Sequence, residues 1–465
     1  MIGTWVLSDI AAALPEAEHP VGTAWQHVQV ASVTTDSRNV PEGSVFVALV
    51  GERFDGHDFI AEVERQGAAA VVASRQVSTS LPVFIVDNTL TALGKLGYAN
   101  RQRFSGKVAA VTGSSGKTTV KEMMAAIMAT QGSVLATKGN LNNEIGAPQT
   151  LLQLSDQHQY GVIELGASAI GEIARTVAMT CPHVSILNNA AGAHLEGFGS
   201  LAGVVQAKGE IIDGLLPGGT AVLNGDDPHF SIWQQRAAEQ SLDVLVFGVD
   251  AEWADVRAYK AQISPVGTWG FELHLPDGTF SPVQLALPGQ HNIRNALAAA
   301  AAAFVQGVTV EDIATGLEQV RATPGRCFPI ITADGMRLLD DTYNANPASM
   351  KAAIDMLMSL PGPQVLTLGS MAELGDSAVD AHFSVGRYAA ECGVPVMFCC
   401  GPFAAALKEG FDSCEGKGQA FSFTDKQTLI DQLRNKVDAS MVVLCKGSRS
   451  AQMEVVIQAL RGETN

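Results

Sequence analysis

Residues 108–119 read Val-Ala-Ala-Val-Thr-Gly-Ser-Ser-Gly-Lys-Thr-Thr, and no other stretch restricts the fold as much. An apolar strand has to run straight into a Gly-rich turn, and the turn has to open a helix at Lys117. Gly113 and Gly116 let the backbone curl around Ser114 and Ser115 so that successive N–H groups converge, and the helix dipole adds partial positive charge. Such a turn cradles phosphate: Lys117 reaches the β- and γ-phosphates of a nucleotide, and the Thr118 hydroxyl, with Thr119 beside it, faces Mg2+. The general pattern has a Gly five residues before the second Gly, where this chain has Val111, so the turn is a compressed variant. An ordinary strand–helix turn is the alternative; the strand before it and the helix after it favour the nucleotide.

The 465 residues hold about three domains of ordinary size. With 47% hydrophobic but only 6% aromatic residues, the cores must be built from Ala, Val and Leu, which suits a soluble α/β protein. A net charge of −17 argues against a nucleic-acid partner, whose phosphates would be repelled. The N-terminus lacks the basic region and long apolar core of a signal peptide. The longest strongly apolar run, Ala296–Val305, is too short to span a bilayer and reads as a buried helix, so no membrane insertion is expected. Seven cysteines without a C-x-x-C pair look like small core residues, which places the chain in reducing cytoplasm.

Three segments emerge from the patterning. Residues 1–103 form a small α/β unit, with strands at Val28–Thr35, Ser44–Leu49, Ala69–Ala73 and Val83–Val86 and a helix at His57–Gln66. Arg101–Lys107 is a polar link. Residues 104–321 alternate strand and helix from Val108, which specifies a parallel sheet, and 244–287 switch to short strands that read as an antiparallel addition. Ala322-Thr-Pro-Gly-Arg326 breaks the chain, and 322–465 resume the alternation as a Rossmann-like unit without a P-loop.

Ligands of such sheets sit at the carboxyl ends of the strands. Glu164 ends one strand, next to a nucleotide's metal or as a surface Glu near a helix start. His194 follows another, as a metal ligand or an exposed loop His. Lys208 lies on a helix with an apolar face and by default is a solvated Lys. Asp341 ends the first strand of the third segment and either holds ribose hydroxyls or caps an Asx-turn.

Taken together, several strings resemble the Mur ligases over almost the whole chain and in that family's order. They are Thr112–Thr119, Gly139-Asn-Leu-Asn-Asn-Glu-Ile-Gly146, Glu164-Leu-Gly-Ala, Asn188–His194, Ala207-Lys-Gly-Glu210, His291-Asn-Ile-Arg-Asn295, Pro324-Gly-Arg326 and Asp341–Pro347. The family consists of cytoplasmic, ATP-dependent amide-bond formers of peptidoglycan precursor synthesis. Asp340–Met350, Leu368–Asp376 and Val443–Ser450 are similar to the branch that adds D-Ala-D-Ala to a UDP-MurNAc-tripeptide. Thr35-Asp-Ser-Arg38 and Asp55-Gly-His-Asp-Phe59 fit its uridine-binding domain.

The resemblance implies that 1–103, through Ser37 and Arg38, bind the UDP end, that 104–321 bind ATP, and that 322–465 close over both and admit the dipeptide. It also implies that Thr118 and Glu164 hold one Mg2+, and that His194 helps hold a second beside Lys208, which carries a carbamate from CO2. Asn295 and Arg326 would grip adenine and phosphates, and Asp341 the ribose. Asn142 and Asn143 would contact the muramyl-peptide, and Asn344, Asn346, Lys446 and Ser448 the peptide carboxylates or the dipeptide. A monomer suffices for all of this. The sequence alternatives are another amino-acid ligase of the superfamily, such as the tripeptide-forming enzyme or a folylpolyglutamate synthase, and a P-loop regulatory switch.

Overall fold

The computed structural model describes residues 1–51, 54–192, 195–264, 267–416 and 418–462. At the N-terminus, β1 (Trp5–Val6) pairs antiparallel with β2 (Gln29–Val30). Then β3 (Val33–Thr34), β4 (Val45–Val47), β5 (Ala70–Ala73) and β6 (Val83–Ile85) form an all-parallel sheet. Helices α1 (Leu7–Ala13), α2 (Ile60–Arg65) and α3 (Thr89–Arg103) accompany them. The single strand expected over Val28–Thr35 is thus two strands serving different sheets. Helix α3 takes in Arg101–Arg103, which the sequence suggests is a polar link. The cause is non-local: Arg101 is buried, and its guanidinium donates to the carbonyls of Thr180 and Cys181, so a charged residue finds acceptors far along the chain.

The central unit runs β7 (Lys107–Thr112), α4 (Lys117–Ala129), β8 (Val134–Ala136), α5 (Gly146–Leu152), β9 (Tyr160–Glu164), α6 (Glu172–Thr180), β10 (Val184–Leu187), α7 (Leu195–Phe198), α8 (Leu201–Gly209), β11 (Thr220–Asn224), α9 (Phe230–Glu239) and β12 (Asp243–Gly248). It closes with β13 (Val256–Ile263), β14 (Thr268–His274), β15 (Phe280–Pro288), α10 (His291–Val305) and α11 (Val310–Gln319). The sheet order is β15-β14-β13-β12-β11-β10-β7-β9-β8. Strand β7 lies between parallel β9 and β10, and both its faces are covered. Ala109 and Val111 join the core under α4 and α10, whereas Val108 and Ala110 join the one under α5 and α8. A strand buried on both sides reads as a continuous apolar run, which is why its position was visible in the sequence.

The antiparallel addition begins later than the sequence suggests. Strand β12 is parallel to β11, and the start of β13 is parallel to β12; only β13, β14 and β15 pair antiparallel. Alternation reports a covered face and not the direction of a partner. The direction of β12 follows from the α9 crossover that joins it to β11, and Asp226, whose carboxylate accepts from the N–H groups of Val249, Asp250 and Ala251, holds the turn after β12.

Helix α10 is the expected alanine-rich helix, with Ala296–Ala303 fully buried against α4 and strands β10–β13. Alanine lets its backbone approach the sheet closely. Gly316 does the same for α11 on α4: a Cβ there would stand 2.4 Å from Ile127 Cα. Gly316→Ala gains about 1 kcal/mol of helix propensity, but the clash is with backbone that cannot rotate away. A net destabilisation of about 1–3 kcal/mol is expected, read from the denaturant midpoint.

The C-terminal unit comprises β16 (Phe328–Ile331), β17 (Arg337–Asp341), α12 (Pro347–Met358), β18 (Gln364–Leu368), α13 (Ala378–Glu391), β19 (Val396–Cys400), α14 (Ala404–Asp412), β20 (Gln419–Phe423), α15 (Lys426–Arg434), β21 (Val442–Lys446) and α16 (Glu454–Arg461). Its order is β16-β17-β21-β18-β19-β20, parallel except for edge strand β16. Edge strands β16 and β20 are additions to the sequence reading. All seven cysteines are free, and Cys327, Cys399, Cys400 and Cys445 are buried. Among the described residues no helix is long and apolar enough to cross a membrane.

Candidate active site

The turn after β7 opens into a cleft of about 590 Å3 between the central sheet and the C-terminal unit. Ser114 through Thr119 line it, as do Asn142, Asn143, Glu164, Asn295, Arg326, Asp341, Asn344, Asn346 and Lys446. Helix α4 has no side-chain cap, so the N–H groups of its first turn, starting at Lys117, are left for a ligand. Gly116 is obligatory here. Its φ is +77°, and a Cβ would meet the Asn188 Nδ2 and Asn295 Oδ1 atoms at 2.5 Å. Lys117 is half-buried and donates to the Gly113 carbonyl at 2.6 Å. Desolvation lowers its ammonium below the usual lysine value, Glu164 opposes that shift, and Arg326 adds to it.

The N–H groups of Ser114 and Ser115 are not available to phosphate in this state. Ser114 N donates to the Asn189 carbonyl at 3.0 Å, and Ser115 N to Asn189 Oδ1 at 2.9 Å. Asn189 Nδ2 returns a bond to the Ser115 carbonyl at 3.2 Å, and Ser114 Oγ donates to the Ala191 carbonyl at 3.0 Å. The loop after β10 is therefore zipped to the P-loop, and Asn189 is a site residue that the sequence reading quoted within a string without a role. Asn189→Ala frees the turn to wander, so the KM for ATP is expected to rise about tenfold with a smaller change in kcat, measured by steady-state kinetics.

Two buried oxygens in the cleft lack partners among the described residues: Thr118 Oγ1 and Glu164 Oε2. The other Glu164 oxygen accepts from Asn142 Nδ2 at 2.8 Å. A lone buried carboxylate oxygen and a lone hydroxyl lining one cleft carry a desolvation cost that a hard cation would remove. No three His, Cys, Asp or Glu side chains cluster as a ready-made metal cage among the described residues. Any cation would therefore take further oxygens from a ligand.

Lys208 overturns the default expectation for a helical lysine. It is 1% exposed, does not line the cleft, and places Nζ 5.2 Å from the centre of the Phe198 ring. Burial, aided by the nearby Lys117 charge, lowers its ammonium to about 7, while Glu172 and Glu210 oppose the shift. Both those carboxylates are engaged elsewhere: Glu210 accepts from the N–H groups of Gly171 and Ala174, and Glu172 from that of Ser168. His194 lies outside the described residues.

The remaining expected residues divide. Asn295 accepts from Asn188 at 3.0 Å and donates to Asn292 at 2.9 Å, so Asn292, another residue without an assigned role, orients it. The Arg326 guanidinium stacks 4.2 Å over the Tyr343 ring. Asp341 accepts from the Cys327 N–H at 3.1 Å and from Lys446 Nζ at 2.6 Å, so two residues expected to face different substrates form one buried ion pair. Asn346 caps α12, with Pro347 in the first turn and Ser349 completing a capping box, and Asn143 accepts from the N–H of Gly146 at the start of α5. Asn344 Oδ1 accepts from the Ala345 N–H. Ser37, Arg38, Gly113 and Ser448 do not line the cleft. Arg38 is exposed and paired with Asp36 at 2.8 Å, and the Ser37 carbonyl accepts from Gln66.

A P-loop helix aimed into a cleft that a second α/β unit closes, with lone oxygens beside it, defines an enzyme that works on a nucleotide polyphosphate. Family patterns narrow that class. Residues 29–105 match the Mur ligase family catalytic domain, 111–303 the Mur ligase middle domain, and 325–449 the Mur ligase glutamate ligase domain. The chain belongs to the Mur ligase family and is an ATP-dependent ligase. It is 46% identical over 432 residues to the UDP-N-acetylmuramoyl-tripeptide–D-alanyl-D-alanine ligase of Escherichia coli K12, covering 92% of this chain and 93% of that one. The enzyme of the same description from Haemophilus influenzae is 40% identical, with 94% of each chain covered. A crystal structure of MurF from Acinetobacter baumannii superposes with a TM-score of 0.91 at 36% identity, covering 99% of both chains. MurF ligase of Thermotoga maritima in complex with ADP gives 0.83 at 30% identity, with 93% and 97% covered.

Proposed function

We propose that this enzyme joins D-Ala-D-Ala to UDP-MurNAc-tripeptide, splitting ATP to ADP and phosphate, as a monomer in the cytoplasm. The observation that carries the reading is the cleft itself, in which the uncapped N-terminus of α4 and Lys117 face Asp341, Arg326 and Lys446 of the opposing unit. The relatives' names supply the substrates. We take residues 1–103 to bind the UDP end, 104–321 ATP, and 322–465 the dipeptide.

A carboxylate is a poor electrophile, so the tripeptide's terminal carboxylate first attacks the γ-phosphorus, forming a P–O bond as the bond to the β-phosphate oxygen breaks and ADP leaves. The dipeptide amine then attacks the acyl carbon, the C–O bond to phosphate breaks, and the amine loses its proton. The first step brings two anions together, and fixed positive charge has to be in place beforehand. Lys117 and the first-turn amides of α4 supply part of it. Thr118 Oγ1 and Glu164 Oε2 would hold Mg2+, which neutralises polyphosphate charge when bound. His194, together with a carbamate formed on Lys208, would hold a second ion. An amine lowered to about 7 is substantially unprotonated at neutral pH and so can add CO2.

Closure of the C-terminal unit excludes water that would hydrolyse the acyl phosphate. Phosphate release should require D-Ala-D-Ala, and mass spectrometry should show the pentapeptide product. Stimulation by diaminopimelate or glutamate instead would overturn this choice of substrate.

A further inference from the structure

We propose that Met356 and Leu360 are positioning residues for the nucleotide: they seat α12 on two glycines of the central unit and so set the width of the ATP cleft, which neither residue lines. In α12, Ala348, Ala352 and Met356 recur at every fourth position. Leu360 continues the row in the turn after the helix, where its N–H donates to the Leu357 carbonyl at 3.1 Å. Residues four apart share one helix face, and along this row the side chains grow larger. Ala348 and Ala352 line the cleft, opposite Leu287, Pro288 and His291 of the central unit, and their small size leaves room for a ligand. Met356, about 12 Å along the helix from Ala348, is 3% exposed and Leu360 8% exposed. At that end of the row the two units touch.

The surface that meets them is made of backbone. Gly267, at the tip of the hairpin joining β13 to β14, and Gly289, between β15 and α10, have φ of +83° and +94°. The Gly289 N–H donates to the Gly267 carbonyl at 3.3 Å, so the two form one floor. A Cβ at Gly267 would stand 2.2 Å from Leu360 Cδ2, and one at Gly289 would stand 3.3 Å from Met356 Sδ. Side chains of the C-terminal unit thus occupy the space that any other residue in the floor would fill.

Both walls of the cleft lead back to this contact. The Gly289 carbonyl accepts from the Asn292 N–H at 3.1 Å, and Asn292 holds Asn295 in the cleft. On the other side, α12 starts at Asn346, which lines the cleft as well. With the row seated, Asp341 and Arg326 stand opposite Lys117. Unseated, α12 moves away and the walls part. A chain whose seated form is only partly populated binds nucleotide more weakly by that fraction.

The test is a double-mutant cycle on the full chain, read by calorimetric titration with Mg-ADP and by small-angle X-ray scattering of the free protein. Neither readout needs an acceptor, so the result is independent of the dipeptide assignment. Gly267→Ala drives a methyl into Leu360 and should weaken Mg-ADP binding about tenfold and enlarge the radius of gyration. Leu360→Ala should do the same by removing the contact. In the double variant the new methyl takes up part of the space the leucine leaves, and affinity and radius should return most of the way to wild type. The backbone strain of alanine at φ +83° is present in Gly267→Ala and in the double variant alike, so recovery reads the contact alone. Leu360→Val takes the place of Leu360→Ala in the cycle should the latter not fold. Wild-type affinity in both single variants, or a double variant with no recovery, would overturn the inference. Absence of Mg-ADP binding by wild type would overturn the nucleotide reading of the cleft and this inference with it.

Discussion

Lys208→Ala is expected to lower kcat by about a hundred- to a thousand-fold, the loss typical of removing a preorganised charge-stabilising group, while ATP still binds. The side chain is fully enclosed at 1% exposure, so truncation also leaves a cavity, and Lys208→Met serves as the filled control. If the working group is a carbamate, short carboxylates such as acetate should partly restore Lys208→Ala but not Lys208→Met, where no space remains. The pH dependence has a definite sign. The free amine titrates near 7, so below that pH it is protonated and cannot add CO2, and above it the reactive neutral form dominates. Enzyme freed of CO2 should therefore regain activity on adding bicarbonate quickly at pH 8 and slowly at pH 6. A carbamate carbon signal from labelled bicarbonate, absent in Lys208→Met, checks the same point without turnover. Full activity in unrescued Lys208→Ala would remove the lysine from the mechanism.

That lysine also marks where sequence reading stops. A Lys among small apolar residues on a helix is solvated by default, and only the packing of α8 against α6 and α7, with Phe198 beside the ammonium, makes it buried. By contrast, the P-loop was legible because its own residues carry the signal: an apolar strand, a glycine that must reach φ +77°, and a helix start without a cap. Helix α10 was legible for the same reason, its alanines being buried all round.

What failed was whatever depends on a distant partner. Arg101 looked like linker because its carbonyl acceptors lie at Thr180 and Cys181. Strand β12 looked antiparallel because its alternation resembles that of β13 to β15, whereas its direction comes from the α9 crossover that precedes it. Asn346 shows a signal that was present but read for chemistry alone: Asn, then Pro, then Ser at the third position is a helix start. The P-loop zipper built by Asn189 had no signal beyond an Asn near a strand end.

Glu164→Gln is expected to cost about a hundred-fold or more in kcat while leaving the fold as stable or more so in chelator, and the two halves of that statement test each other. The amide oxygen keeps the bond from Asn142, so packing is retained. The lone Oε2 is replaced by an amide nitrogen, which is easier to bury than an unpartnered charge but repels a cation. A residue that served only the fold would lose melting temperature on substitution and keep its Mg2+ dependence. Here the Mg2+ needed for half-maximal rate should rise sharply. The substitution also removes the carboxylate that opposes the lowering of the Lys117 ammonium by burial. Near wild-type turnover at the same Mg2+ concentration would separate Glu164 from the metal and leave its lone oxygen without a function.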